Sequence, residues 1–190
     1  MKNACDFRVE GLAAEQMRML ERVRQGFHCS EVLLFAGLDA RGENNPDLIK
    51  AVSALAGGVG FSGELCGALT GGACLLGLYA GRGSENENAD ERLNIMVTEL
   101  IDWFSEKYGQ SYGGIRCREI IGDDSRKPPE RCPRIVSGVL NKVKLLLGEH
   151  DVAWEKRSGA REQRGDTSPE SLMTSVGGSR AACPCAGGTR

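Results

Sequence analysis

Gly63-Glu64-Leu65-Cys66-Gly67-Ala68-Leu69-Thr70-Gly71-Gly72-Ala73-Cys74-Leu75-Leu76-Gly77-Leu78-Tyr79-Ala80 is the stretch that decides the fold. Glu64 to Ala80 reads as a helix built from unusually small residues. Counting from Cys66, Thr70, Ala73 and Gly77 follow at four, seven and eleven residues, which puts them on nearly one helical face. Gly67 and Gly71 lie on an adjoining strip. Glycine lowers helix propensity, so a helix this rich in it needs close packing to survive. Two compatible readings stay open. The helix is buried at a tight helix–helix crossing, or its small residues make room for a cofactor or a partner's cysteine.

Working outward, the flanks also read as helices. Leu12 to Gln25 carries an apolar stripe of Leu12, Met17, Leu20 and Val23, with Gly26 as a stop. A second helix starts near Cys29 and buries Val32, Leu33, Leu34, Phe35 and Leu38. A third runs from Pro46 through Ala56, with Pro46 suited to a first turn. Gly57 to Gly63 has no helical period and reads as a flexible loop. Asp90 to Tyr108 is the clearest amphipathic helix, with Gly109 as its stop. Cys117 to Ile121 is a short helix or turn. Cys132 opens the last helix, with Pro133 in its first turn and Gly148 at its end. No period-2 strand of useful length appears. The expected fold is therefore all-α, a compact multi-helix bundle around the glycine-rich central helix. Residues 1–150 form the domain. In residues 151–190 the pattern fails, and Ser158 to Arg190 is expected to be mostly disordered.

The chain has 190 residues, a net charge of -2 and 41% apolar residues. That is enough for one ordinary core, and it implies neither a nucleic-acid nor an anionic-membrane partner. No run approaches the ~18 apolar residues of a membrane span, and Met1 to Asp6 does not read as a signal peptide. A cytoplasmic location is expected, where thiols stay reduced. Eight cysteines in such a compartment point to metal binding or redox chemistry rather than a disulfide framework.

Of these eight, Cys74 fits a small buried hydrophobe. Cys5 is given no role, and Cys183-Pro184-Cys185 falls in the tail. Cys29, Cys66, Cys117 and Cys132 differ because each sits at an expected helix start or beside a glycine turn. Unpaired N–H groups and the positive dipole end there favour the thiolate, which is the reactive and metal-binding form. Arg116 and Arg118, beside Cys117, also favour the anion.

The order Cys29, then Cys66-Gly67-Ala68-Leu69-Thr70-Gly71, then Cys117, then Cys132 resembles the C_GCAxxG_C_C family of redox-active proteins. That family is named for this cysteine order and its small-residue motif. An apolar run after Cys29, a glycine-rich approach to Cys66 and a Cys…Ile-Gly…Cys segment near the end match as well. The resemblance covers about Gly26 to Leu147. In one departure, Cys66 follows Glu64-Leu65 and stands directly before Gly67-Ala68, so a literal Gly-Cys-Ala is absent. A similar cysteine-bearing domain accompanies haem-binding segments in split-Soret-type cytochromes. This chain has no Cys-x-x-Cys-His and only His28 and His150, so haem is not expected.

Several functions compete. In the first, Cys29, Cys66, Cys117 and Cys132 ligate an iron–sulfur cluster, most simply of the two-iron type, for electron transfer or sensing. Gly63, Gly67 and Gly71 are then expected beside the cofactor, with the glycine loop sending N–H groups toward Cys66. In the second, a metal-free thiol–disulfide protein uses Cys66 as attacker and Cys117 with Cys132 as partner pair. A structural zinc site lacks the usual Cys-x-x-Cys knuckle. A helical interaction domain without redox chemistry is the remaining reading. His28 reads as a helix-flanking polar residue, and Glu31 and Glu64 as first-turn helix carboxylates. Asp123-Asp124 reads as a solvated loop pair. Gly57 to Gly63 has neither the βαβ context of a dinucleotide turn nor the Lys-Ser/Thr of a phosphate loop. A redox partner protein is implied but unidentified. The small-residue helix surface would allow a homodimer.

Overall fold

The glycine-rich stretch forms helix α4, Gly67–Ala80, and stands at the centre of an all-α fold. In the computed structural model, residues 14–122 and 128–155 are described, with 128–130 described by backbone alone. The other helices are α1 (Ala14–Arg24), α2 (Cys29–Arg41), α3 (Pro46–Ser53), α5 (Leu93–Phe104), α6 (Gln110–Tyr112), α7 (Cys117–Ile121) and α8 (Pro128–Glu149). Among the described residues there is no strand, only an isolated antiparallel bridge between Leu65 and Arg116. No helix among them is long and apolar enough to cross a membrane.

Helix α4 carries no charged residue and is lined by α2, α5 and α8, so it packs on several sides at once. Its glycines set how close those neighbours come. A Cβ at Gly71 would meet the Ser30 Cα at 2.7 Å, and one at Gly72 would meet Val139 Cγ1 at 2.6 Å. A Cβ at Gly67 would meet the Cys29 sulfur at 2.6 Å. On α2, Gly37 does the same for the Leu75 side chain, and its carbonyl accepts the Tyr79 hydroxyl at 3.1 Å. Positions 29, 30 and 37 of α2 therefore meet 67, 71 and 75 of α4 in the same order. The two helices run parallel, with their N-termini side by side. Leu33, Leu34, Leu69, Leu75, Leu76, Phe104, Leu140 and Leu147 close the core around this contact.

Several boundaries depart from the sequence reading. Helix α4 starts at Gly67 rather than Glu64, because the Leu65–Arg116 bridge holds residues 64–66 extended. Helix α3 ends at Ser53, before Ala56. Gly109 does not stop the amphipathic helix. It is right-handed, at φ -60, inside a π-helical turn (Ser105–Gly109), and the chain stops at Gly113, φ 82. Helix α8 begins at Pro128, one turn before Cys132, because Pro128-Pro129 supply the pre-set φ of a first turn. Cys5, Asp123, Asp124, Cys183, Cys185 and the tail from residue 156 onward lie outside the described residues.

Gly71→Ala forces a Cβ onto backbone and should destabilise the chain by about 1–3 kcal/mol in urea unfolding. Gly77 has nothing within 4 Å, so Gly77→Ala should be neutral or stabilising, by up to about 1 kcal/mol.

Candidate cysteine centre

The parallel α2–α4 contact places Cys29, first residue of α2, against Gly67, first residue of α4. Cys66 is the N-cap of α4, and Cys117 is the first residue of α7. The bridge ties the last two together. The Cys66 N–H donates to the Ile115 carbonyl at 3.1 Å, and the Cys117 N–H to the Glu64 carbonyl at 2.7 Å. This register sets Cys66 and Cys117 on one face of the bridge as diagonal neighbours. Cys132 lies in the second turn of α8, whose Arg131 guanidinium donates to the Ile120 carbonyl of α7. All four thiols are free, as is Cys74, which packs partly buried against the core.

The thiol electrostatics reverse the expectation from helix ends. Burial pushes Cys66 up to about 12 and Cys132 up to about 11. It raises Cys29 and Cys117 as well. Members of the set also raise one another. Cys29 and Cys117 act on Cys66 and on Cys132, and Cys29 acts on Cys117. The helix-end donors do exist. Those of Ala68 and Leu69 act to lower Cys66, and those of Gly57, Ser30 and Cys29 itself act to lower Cys29. They oppose the loss of water without outweighing it, since burial disfavours the charged form. Arg116 and Arg118 do not serve Cys117. Both pair with Glu64, Arg116 at 3.2 Å, and Arg118 also bonds the Ser62 and Gly63 carbonyls.

The glycine loop is more ordered than a flexible linker. Five successive residues, Gly57 to Phe61, have φ between 59 and 77. Glycine enters this left-handed region freely, but Val59 and Phe61 do so at about 1–2 kcal/mol each. The loop is pinned by Gly60 N–H to the Ala54 carbonyl at 2.7 Å and by Phe61 N–H to the Ala56 carbonyl at 3.0 Å. Of its N–H groups, that of Gly57 acts to lower the Cys29 thiol, and none of them is among the causes acting on Cys66. A Cβ at Gly58 would meet the Glu64 carbonyl oxygen at 2.4 Å and the Cys117 Cβ at 2.8 Å, so no side chain fits there. The sequence reading expected this loop to send its N–H groups toward Cys66 and did not single out Gly58, whose close approach is to Glu64 and Cys117. The consecutive glycines Gly57-Gly58 were the available signal.

Of the glycines expected beside a cofactor, Gly67 touches the Cys29 sulfur. Gly71 packs on Ser30, and Gly63, at φ 79, leaves only 3.0 Å between a Cβ built on it and the Arg118 Cβ. His28 caps α2: its N–H donates to the Glu31 carboxylate at 2.8 Å, and its ring contacts Phe61 edge-on at 5.1 Å. Glu31 is thus a first-turn carboxylate, whereas Glu64 lies outside any helix. Among the described residues, no three His, Cys, Asp or Glu side chains stand as a ready-made metal-ligand group.

A bundle with four mutually influencing thiols from four elements defines a cysteine-centred protein of redox type. The family described as "Putative redox-active protein (C_GCAxxG_C_C)" matches residues 27–146, more than half of the chain, and the chain belongs to that family. No curated protein and no solved structure matches it.

A raised folded-state pKa contributes stability that is fully present below the thiol's ordinary value of 9.0 and is lost as pH rises toward 12 for Cys66. The reduced, metal-free protein should therefore lose stability above pH 9, and less steeply as Cys66→Ala. Urea midpoints taken across that range check it. A slope identical in both proteins would place the alkaline loss elsewhere.

Proposed function

We propose that Cys29, Cys66, Cys117 and Cys132 hold an iron–sulfur cluster, most simply two-iron and two-sulfide, that carries or senses electrons. The carrying observation is that four free thiols from separate elements lie at one end of the bundle, Cys66 and Cys117 buried and Cys29 and Cys132 half-buried, and that neighbours within the set raise one another's pKa. Like groups gathered this way resist ionisation on their own. A cation relieves both their repulsion and the loss of water, and thiolates then bind it with release of protons. Four thiolates are the normal donor set for such clusters. A group of three donors already in place is not required of a metal-free chain, because binding and deprotonation occur together.

When bound, the cluster would supply one-electron chemistry. The chain's own groups do the rest. N–H donors of Gly57, Ser30, Ala68 and Leu69 would stabilise negative charge on the Cys29 and Cys66 sulfurs, and such hydrogen bonds set the potential.

A thiol–disulfide function has one observation in its favour, the diagonal pairing of Cys66 and Cys117 across the bridge. Against it, thiols raised this far are poor nucleophiles near neutrality.

Anaerobic purification, or reconstitution with ferrous iron and sulfide, should give a brown protein with charge-transfer absorption. Serine at position 29, 66, 117 or 132 should abolish or strongly diminish the iron and sulfide content, and Cys74→Ala should leave it intact. A colourless wild-type chain, with two fewer thiols open to alkylation after mild oxidation, would favour the disulfide reading instead.

A further inference from the structure

We propose that Trp103, Tyr108 and Tyr112 form an aromatic row through which a radical oxidant at the protein surface draws electrons from the cysteine centre. The rings stand in sequence. Trp103 meets Tyr108 edge-on with centroids 5.6 Å apart, and Tyr108 stacks on Tyr112 at 6.5 Å and 10°. The chain has only two Trp and three Tyr, so most of its readily oxidised rings lie in this one file. The π-helical turn Ser105–Gly109 builds it. In an uninterrupted α-helix the residue five places on points well away, and the wider turn is what brings the Tyr108 ring to Trp103. Helix α8 yields to the same row. A Cβ at Gly138 would collide with the Tyr108 hydroxyl and would lie 3.7 Å from the Trp103 ring.

The row runs along α8 toward the cysteines. Trp103 and Tyr108 lie at Gly138. Tyr112 lies under the Arg131 guanidinium, 4.9 Å from its ring centroid, about two turns nearer the start of α8. Arg131 directly precedes Cys132. At the other end Trp103 is half-buried and reaches solvent, while Tyr108 between them is buried. Indole, phenol and thiol are the side-chain groups that most readily give up one electron, and rings in contact divide the path into short steps. The exchange balances. The oxidant takes one electron from Trp103, which releases its indole proton. The indolyl radical takes an electron and a proton from the Tyr108 hydroxyl, Tyr108 takes them from Tyr112, and Tyr112 from the Cys132 thiol. Two such events join Cys132 and a second thiol as a disulfide, with two protons released and two oxidant radicals reduced. A bound cluster would replace the thiol as the electron source. The row rests on the proposed cluster only for that source; its rings belong to the metal-free chain.

Azidyl radicals from pulse radiolysis of azide test this on the reduced, metal-free full chain. Trp154, the second indole, is first replaced by Phe, which keeps a ring against Tyr79. The indolyl absorption of Trp103 should then decay at a rate independent of protein concentration while a tyrosyl absorption rises. Peptide mapping should show that Cys132 has lost its reactivity to alkylation. Adding Tyr108→Phe, which keeps the ring but not the phenol, should abolish the coupled rise and leave Cys132 open to alkylation. Adding Trp103→Phe instead should spare Cys132 in the same way. Loss of Cys132 that persists in either variant overturns the proposal, because the oxidant then reaches the thiol without the row. A Cys132 that stays reactive in the starting chain overturns it as well. Urea midpoints check that each variant keeps its packing. If Tyr108→Phe does not, Tyr112→Phe at the half-buried end of the row decides by the same criteria. Iron analysis of the wild-type chain separates the two ideas. A working row in a chain that takes up no iron removes the cluster reading alone, and a silent row in a chain that takes up iron removes the row alone.

Discussion

The parallel contact of α2 with α4 is the constraint on which the rest of the structure depends. Parallel neighbours leave their N-termini together, and these carry Cys29 and Cys66. The contact closes only because Gly67 and Gly71 on α4 have no side chain where the Cys29 sulfur and the Ser30 backbone sit. Gly37 does the same service from α2. Ser30, fully buried, ties the same end to α3 through a 2.9 Å bond to the Val52 carbonyl. The glycines that weaken α4 as an isolated helix are what let it become the centre of the bundle.

From that contact the cysteine centre is assembled by short backbone links. The Leu65–Arg116 bridge draws Cys117 beside Cys66, and Glu64 fastens the outer side by pairing with Arg116 and Arg118. Arg131 joins the first turns of α8 to α7, bringing Cys132 along. The result is a set of buried and half-buried thiols whose pKa values are all raised, so that they stay protonated in the metal-free chain near neutrality. Backbone N–H groups at the helix ends and in the left-handed turn act the other way, lowering Cys29 and Cys66. Their charge preference is real but smaller than the effect of burial, which decides the sign of every resolved shift among these cysteines.

The helices were legible where periodicity alone positions residues. The all-α class, the start of α2 at Cys29 and the short helix Cys117–Ile121 follow from local pattern. What was not legible depends on partners distant in sequence. Residues 64–66 are extended because they pair with a segment some fifty residues on, about which no local pattern speaks. Gly109 looked like a stop, yet the rings of Trp103, Phe104 and Tyr108 pack together across the π-helical turn and carry the chain past it. At the site, the residue types and the close packing of the glycine-rich helix could be read from small-residue spacing, while the meeting of Cys29 with Gly67 could not. The direction of the thiol shifts could not, because helix-start position is local while burial is a property of the whole fold. The close approach of Gly58 to Glu64 and Cys117 likewise needed the path of the turn.

Native mass spectrometry of the anaerobically isolated chain tests the central claim most directly. The account predicts a mass higher than the polypeptide by two irons and two sulfides, less the protons displaced from the cysteines. A bare polypeptide mass after reconstitution, or one lighter by the two hydrogens of a disulfide, would contradict it.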